Sequence, residues 1–127
     1  MAIRCLIVDD NPGFAQAARE LLQEEGIDVL AVAAGGDEAI RIARDLRPDL
    51  ALVDIDLGAE NGLAVTQRLM AAEHGRLAEA VILISTHAEQ EFAELIAASP
   101  AVGFLAKAEL SADAIEALLC RRERALT

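Results

Sequence analysis

Positive charge is scarce in this sequence: 11 Lys plus Arg stand against 22 Asp plus Glu in 127 residues, a formal net charge of −11. That balance excludes direct binding to nucleic acid or to an anionic membrane, and it points to cations or other proteins as partners. Cysteine is nearly absent. Cys5 and Cys120 form no CxxC and no Cys/His cluster, so both read as reduced core residues rather than a metal or redox pair. No apolar stretch approaches the roughly 20 residues of a membrane span, and the opening MAIRCLIVDD is too short and too acidic for a signal peptide, so the expected location is cytoplasmic. Nucleotide-binding glycine motifs are missing as well: Gly35 and Gly36 do not make GxGxxG, and no GxxxxGK[ST] occurs. There is no low-complexity segment, internal repeat or linker. With 54% apolar residues the chain can bury a core, and residues 1–127 read as one domain.

What is present is a regular alternation. Apolar runs at Ile3 to Val8, Ile27 to Ala34, Leu50 to Val53, Ala80 to Ser85 and Val102 to Ala106 have the length of buried strands. Each is followed by a helix-period segment. Asn11 and Pro12 mark the start of the first, which carries Phe14, Ala18, Leu21 and Leu22 and stops at Gly26. The second presents Ala39, Ile42, Ala43 and Leu46 before Pro48, and the third presents Leu63, Val65, Leu69 and Met70 and runs to Gly75. EFAELIAAS presents Phe92, Leu95 and Ile96, and the last segment starts at a Ser111 cap and presents Ile115, Leu118 and Leu119. Five βα units are too few for a barrel, which needs about 250 residues. The expected architecture is therefore an open five-stranded parallel sheet, (βα)5 and flavodoxin-like, in strand order 2-1-3-4-5, with helices on both faces.

In such a sheet ligands bind outside the carboxyl ends of the strands. The first run ends on Asp9 and Asp10, the third on Asp54, the fourth on Ser85 and the fifth on Lys107. One Asp would serve as a helix cap, whereas two adjacent ones repel. The expected order places the first and third strands side by side, so three carboxylates share a pocket. At about 4 Å and an effective dielectric near 20 each close pair costs roughly 4 kcal/mol, a strain that a cation relieves. Oxygen-only ligands suit Mg²⁺ or Mn²⁺. Lys107 adds a point charge for an anionic oxygen and Ser85 a hydroxyl donor, which together describe a phosphoryl-transfer site.

Over essentially its full length the chain resembles the receiver domain of a two-component response regulator. The acidic pair of that family falls on Asp9 and Asp10, its phosphorylated aspartate on Asp54, its hydroxyl switch residue on Ser85, its aromatic switch residue on Phe104, its lysine on Lys107 and the glycine opening its third helix on Gly62. The resemblance implies a partner histidine kinase or histidine phosphotransfer protein, with Asp54 as acceptor. It implies direct Mg²⁺ ligation by Asp10, Asp54 and the backbone carbonyl of Asp56, with Asp9 acting mostly through water. Lys107 would bind a phosphoryl oxygen and Ser85 would move toward another, with Phe104 turning inward behind it. The surface formed by the EFAELIAAS helix, the GFLAK strand and the last helix would then change for an output domain, a downstream protein or a second copy of the chain. Asp56 and His87, each two residues beyond a site residue, would line the path of attacking water and tune the rate of phosphate loss. GFLAKAELSADAIEALL further resembles receivers joined to a LuxR-type helix-turn-helix output.

Three positions depart from the family pattern. Gly58 stands where proline is common, in a DLGAENG stretch expected to be a mobile loop. Ala108 stands where proline often follows the lysine, so a trans Lys107–Ala108 bond is expected, because a cis non-proline bond costs about 2.5 to 4 kcal/mol. Thr86 is bulkier than usual and narrows the path to Asp54. VDIDLG also resembles the DxD of haloacid dehalogenase-type phosphatases, with Asp54 as nucleophile and Asp56 as acid/base, but that reading leaves Asp9 and Asp10 unexplained. A degenerate receiver serving only as a binding scaffold is the bland alternative, and retention of the acidic pair, acceptor and lysine argues against it. His74, near the expected helix end, reads as a dipole contact, and Arg121 to Arg124 as a solvated face at a helix C-terminus.

Overall fold

The computed structural model describes residues 2–58, 60–71, 75–86 and 93–126, with the side chains of 122–126 outside the description. The element order is β1 (Arg4–Val8), α1 (Pro12–Glu24), β2 (Asp28–Ala33), α2 (Gly36–Leu46), β3 (Leu50–Asp54), β4 (Asp56–Leu57), β5 (Glu60–Asn61), α3 (Gly62–Leu69), β6 (Ala80–Ser85), α4 (Ala93–Ala98), β7 (Gly103–Ala106) and α5 (Ala112–Leu126). Five parallel strands form one sheet in the order β2-β1-β3-β6-β7, which is 2-1-3-4-5 once the two-residue strands β4 and β5 are set aside. The expected flavodoxin-like architecture is the observed one.

Alternation along the buried strands sends successive side chains to opposite layers. Cys5, Ile7, Leu50, Leu52, Ile82 and Ile84 pack with Ala15, Ala18 and Leu22 of α1 and Ile115 of α5. Leu6, Val8, Ala51, Val53, Val81 and Leu83 pack with Ala39, Ile40 and Ala43 of α2 and Leu63, Val65 and Leu69 of α3. Because both faces are covered, β1, β3 and β6 read in sequence as continuous apolar runs rather than as alternating ones.

The helix boundaries follow local chemistry. Asn11 Oδ1 accepts the Phe14 N–H at 3.1 Å with Pro12 in the first turn, and Gly26, at φ +94, lets the chain turn after α1. Arg47 takes φ 49, in the left-handed region, directly before Pro48, which cannot continue α2. Ser111 Oγ accepts from the Ala114 N–H at 3.0 Å at the start of α5, the expected cap.

Several expectations are corrected. Helix α3 ends at Leu69, with the Met70 N–H on the Thr66 carbonyl at 3.0 Å, instead of running to Gly75. Leu21 and Leu46 are each 39% exposed and Leu95 is 54% exposed, because the inward stripes run through Leu22, Ile40 and Ile96. Cys5 is buried as expected, but Cys120 is exposed: the inward side of α5 is carried by Ile115, Leu118 and Leu119. Within the DLGAENG stretch, read as a loop, Asp56–Leu57 and Glu60–Asn61 pair as short antiparallel strands, Asp56 opposite Asn61 and Leu57 opposite Glu60. A 3-10 turn at Lys107–Glu109, absent from the sequence reading, follows β7. Among the described residues there is no cis peptide bond, so Lys107–Ala108 is trans as expected, and no helix is long and apolar enough to cross a membrane.

Candidate functional site

Strand register brings the predicted residues to one end of the sheet. Val8 pairs with Val53, Asp54 with Ile84 and Ser85 with Ala106, so the residues at the ends of β1, β3, β6 and β7 converge. The Asp9 N–H still bonds the Ala33 carbonyl at 2.9 Å, which extends the β1–β2 ladder by a residue and fixes where the carboxylate starts. Asp9 is 2% exposed, and its Oδ1 accepts the Asn11 N–H at 2.8 Å in a local turn. Asp54 is 5% exposed, and its Oδ1 accepts the Asp56 N–H at 3.0 Å. Asp10 is exposed, at the rim.

Lys107 reaches across from the end of β7. Its Nζ lies 2.7 Å from Asp9 Oδ2 and 3.1 Å from Asp54 Oδ2, and 4.3 Å from the centre of the Phe14 ring. Burial pushes the Asp54 carboxyl above the ordinary range, partly opposed by the Asp56 N–H and the Lys107 ammonium, while Asp9 adds to the rise. For Lys107 burial works against the charge, but bonding and attraction to Asp9 and Asp54 outweigh it and hold the ammonium above its ordinary value. The expected mutual repulsion is therefore already partly neutralised, because the lysine sits between the two buried carboxylates.

Asp9 Oδ2 is buried and faces the Lys107 ammonium at 2.7 Å, its charged neighbour in the pocket. Asp9, Asp10 and Asp54 each offer a carboxylate oxygen, all within 4.8 Å of one another. An all-oxygen donor set of three carboxylates fits a hard divalent cation.

Two glycines shape the rim. A Cβ at Gly62 would collide with the Asp54 carbonyl, and the Gly62 N–H bonds the Ile55 carbonyl at 2.8 Å, so α3 begins tightly against the end of β3. Gly58 has φ +65, and a Cβ there would sit 2.9 Å from Asp10 Oδ2. Proline, whose ring holds φ near −65°, could not take this conformation. Glycine at this position therefore fits the backbone conformation the chain adopts here.

Ser85 is 1% exposed at the end of β6. Phe104, paired with Leu83, lies on the same side of the sheet as Ser85 and is half-buried against the layer that also takes Ile96 and Ala101. Thr86 and the Asp56 side chain are exposed. His74, His87 and Phe92 lie outside the described residues. Glu60, which the sequence reading did not single out, places both carboxylate oxygens 3.1 Å from the Gly36 N–H. The signal that could have found it is the Gly35–Gly36 pair, a helix start with no side-chain cap of its own.

Comparison with known proteins agrees with this geometry. Residues 5–119 match the model of the response regulator receiver domain. The chain belongs to that family. It is 28% identical over 107 residues to the DNA-binding transcriptional activator EvgA of Escherichia coli K12, an alignment covering 84% of this chain and 51% of EvgA. Among solved structures, the signal receiver domain of a modulated diguanylate cyclase from Desulfovibrio desulfuricans G20 superposes with a TM-score of 0.76 at 36% identity, covering 94% of this chain and 91% of that one. A LuxR-family two-component response regulator from Aurantimonas sp. SI85-9A1 gives a TM-score of 0.81 at 28% identity, covering 94% and 86%. The similarity extends to LuxR-type regulators, as the C-terminal segment suggested. Receiver domains are phosphorylation-dependent signalling switches, served by histidine kinases and linked to output domains, and the dehalogenase and scaffold alternatives are not favoured. The chain spans about half the length of the curated relatives it matches.

Proposed function

We propose that this receiver accepts a phosphoryl group on Asp54 from the phosphohistidine of a histidine kinase or phosphotransfer protein. The observation that carries this reading is the buried Asp54 carboxylate held between the Asp56 N–H at 3.0 Å and Lys107 Nζ at 3.1 Å, beside Asp9. An Asp54 oxygen attacks phosphorus, the P–N bond breaks, and the imidazole leaves and takes up a proton. Asp10, Asp54 and the backbone carbonyl of Asp56 would hold Mg²⁺, or Mn²⁺, with Asp9 acting mostly through water, and the cation would supply positive charge against the phosphoryl oxygens. Lys107 gives up its contact with Asp54 and follows the negative charge to a phosphoryl oxygen. Ser85 donates to another, and Phe104 turns inward because its ring carries no polar atom to satisfy.

The face of α4, β7 and α5 then presents the signal to an output domain, to a downstream protein or to a second copy in a phosphorylation-dependent homodimer. Asp56 and His87 tune how fast water removes the phosphate, so the chain acts as a phosphoacceptor and catalyses only its own modification. Residues 1–127 act as one receiver domain, working in the cytoplasm. Mass measurement after incubation with a small phosphodonor and Mg²⁺ tests this: a gain of about 80 Da is expected, lost with chelator and in Asp54→Asn. A gain that persists in Asp54→Asn overturns the assignment.

A further inference from the structure

The two glycines that open α2 have no conformational reason to be there. Gly35 is extended at φ −157 and Gly36 is the first helical residue, and both are conformations that any residue adopts. Space is what they provide. A Cβ at Gly35 would lie 2.9 Å from Glu60 Oε1, and one at Gly36 would overlap Glu60 Oε2 and approach Val65 Cγ2 to 3.0 Å. The Glu60 carboxylate occupies that space with both oxygens 3.1 Å from the Gly36 N–H. It serves as the cap that the helix lacks, in a position where the macrodipole favours negative charge.

The backbone of Glu60 belongs to the hairpin that borders the acidic pocket. Glu60 pairs with Leu57, and the next residue, Asn61, pairs with Asp56 and caps α3 by accepting the Leu63 N–H at 2.8 Å. On the pocket side, Asp56 donates to Asp54 Oδ1 at 3.0 Å, and Asp10 Oδ2 lies 2.9 Å from where a Cβ would stand at Gly58. The segment that Glu60 fastens to α2 therefore bonds one of the three clustered carboxylates and borders a second.

We infer that Glu60 is a positioning residue: clasped on the Gly36 N–H, it fixes the β4–β5 hairpin so that the Asp56 N–H holds Asp54 and Gly58 leaves the space Asp10 needs in cation-binding geometry. This rests on the proposed role of the acidic pocket, and it adds a residue outside the cation's own ligands. Groups that orient ligands from behind typically change metal affinity by about 10-fold to 100-fold when removed.

The test uses Mn²⁺ as probe, its free concentration followed by electron paramagnetic resonance, with Gly36 amide exchange and thermal melting in parallel. Glu60→Ala and Gly36→Ala, the second expelling the carboxylate while leaving Glu60 in place, should each weaken Mn²⁺ binding about tenfold. The double variant should bind no more weakly than either single one, because both break the same clasp. Glu60→Gln, which keeps an acceptor oxygen but loses the charge, should fall in between. Alanine is the better helix former at position 36, so weakened binding without a lowered melting temperature identifies positioning rather than unfolding. Wild-type affinity in Gly36→Ala, or effects that multiply in the double variant, would overturn the inference, as would a wild-type protein that binds no Mn²⁺. Failure of Asp54 to gain a phosphoryl group while Mn²⁺ binding follows the clasp would remove the acceptor reading and leave this one standing.

Discussion

The middle of the sheet and its β7 edge are packed to different tightness. Every residue of β3 is buried, and Leu6, Ile7, Leu52 and Ile82 are fully shielded between the two helical layers. Every residue of β7 is only half-buried, α4 buries none of its residues, and Leu95 is 54% exposed. The acidic residues that must keep fixed distances grow from the tight region, whereas the proposed output face is built from the loose one. Lys107 ties them together: it ends the loose strand, yet its ammonium sits against carboxylates anchored in the tight ones. A change in charge at Asp54 thus acts on an edge with less packing to resist it.

The largest contrast should come from truncation. Leu52→Ala removes a side chain from the densest layer and should cost about 2 to 5 kcal/mol in urea unfolding, while Leu95→Ala on α4 should change stability by less than about 0.5 kcal/mol. Equal costs would mean that the two regions are packed alike.

Cutting the tie comes next. Lys107→Met leaves two buried carboxylates without their cation and should destabilise the protein by about 3 kcal/mol at neutral pH. Burial already raises the Asp54 carboxyl, and losing the ammonium raises it further, so the folded variant favours the protonated acid. The part of its stability tied to Asp54 is then complete below the ordinary carboxylate range and is lost as pH rises through that raised value, so the deficit relative to wild type should shrink in acid. Millimolar Mg²⁺ should recover part of it at neutral pH. A deficit independent of both pH and Mg²⁺ would place the effect in packing rather than charge.

A smaller effect is expected at the rim. Gly58→Ala places a side chain at φ +65 facing Asp10, and should cost about 1 to 2 kcal/mol through the left-handed conformation. Unchanged melting would show that the hairpin relaxes without loss. The smallest effect separates the two thiols: burial pushes Cys5 up to about 12, and Cys120 is exposed. At mildly alkaline pH one thiol should react promptly with a disulfide reagent, and Cys5 only as fast as the protein opens. The stability tied to the neutral Cys5 thiol is complete below the ordinary thiol value of 9.0 and is lost as pH rises from there through about 12. Rapid reaction of both thiols would contradict the tight centre.

Much of this was legible in the sequence because the signals are local. Four apolar residues running into Asp9 and Asp10, and LALVD ending on Asp54, report strands covered on both faces and polar groups where ligands bind. Chain length then excluded a barrel and left the open flavodoxin-like sheet with its strand order. What escaped depended on contacts between distant segments. Glu60 acts through a backbone N–H 24 positions away, and no periodicity marks it. Lys107 was expected to wait for an anionic oxygen, but its contact with both Asp9 and Asp54 emerges only when β1, β3 and β7 are brought together. Cys120 looked like core because an apolar residue next to Leu119 carries no sign of which side of α5 it takes.

The central claim, that chemistry anchored in the tight region is read out at the loose edge, is tested by amide hydrogen exchange of the protein with Mg²⁺ before and after phosphorylation. The account predicts altered exchange in α4, β7 and α5 while β1 and β3 keep their protection, and no such change in Asp54→Asn treated in the same way. Altered exchange confined to β1 and α1, with α4 and β7 unmoved, would contradict it.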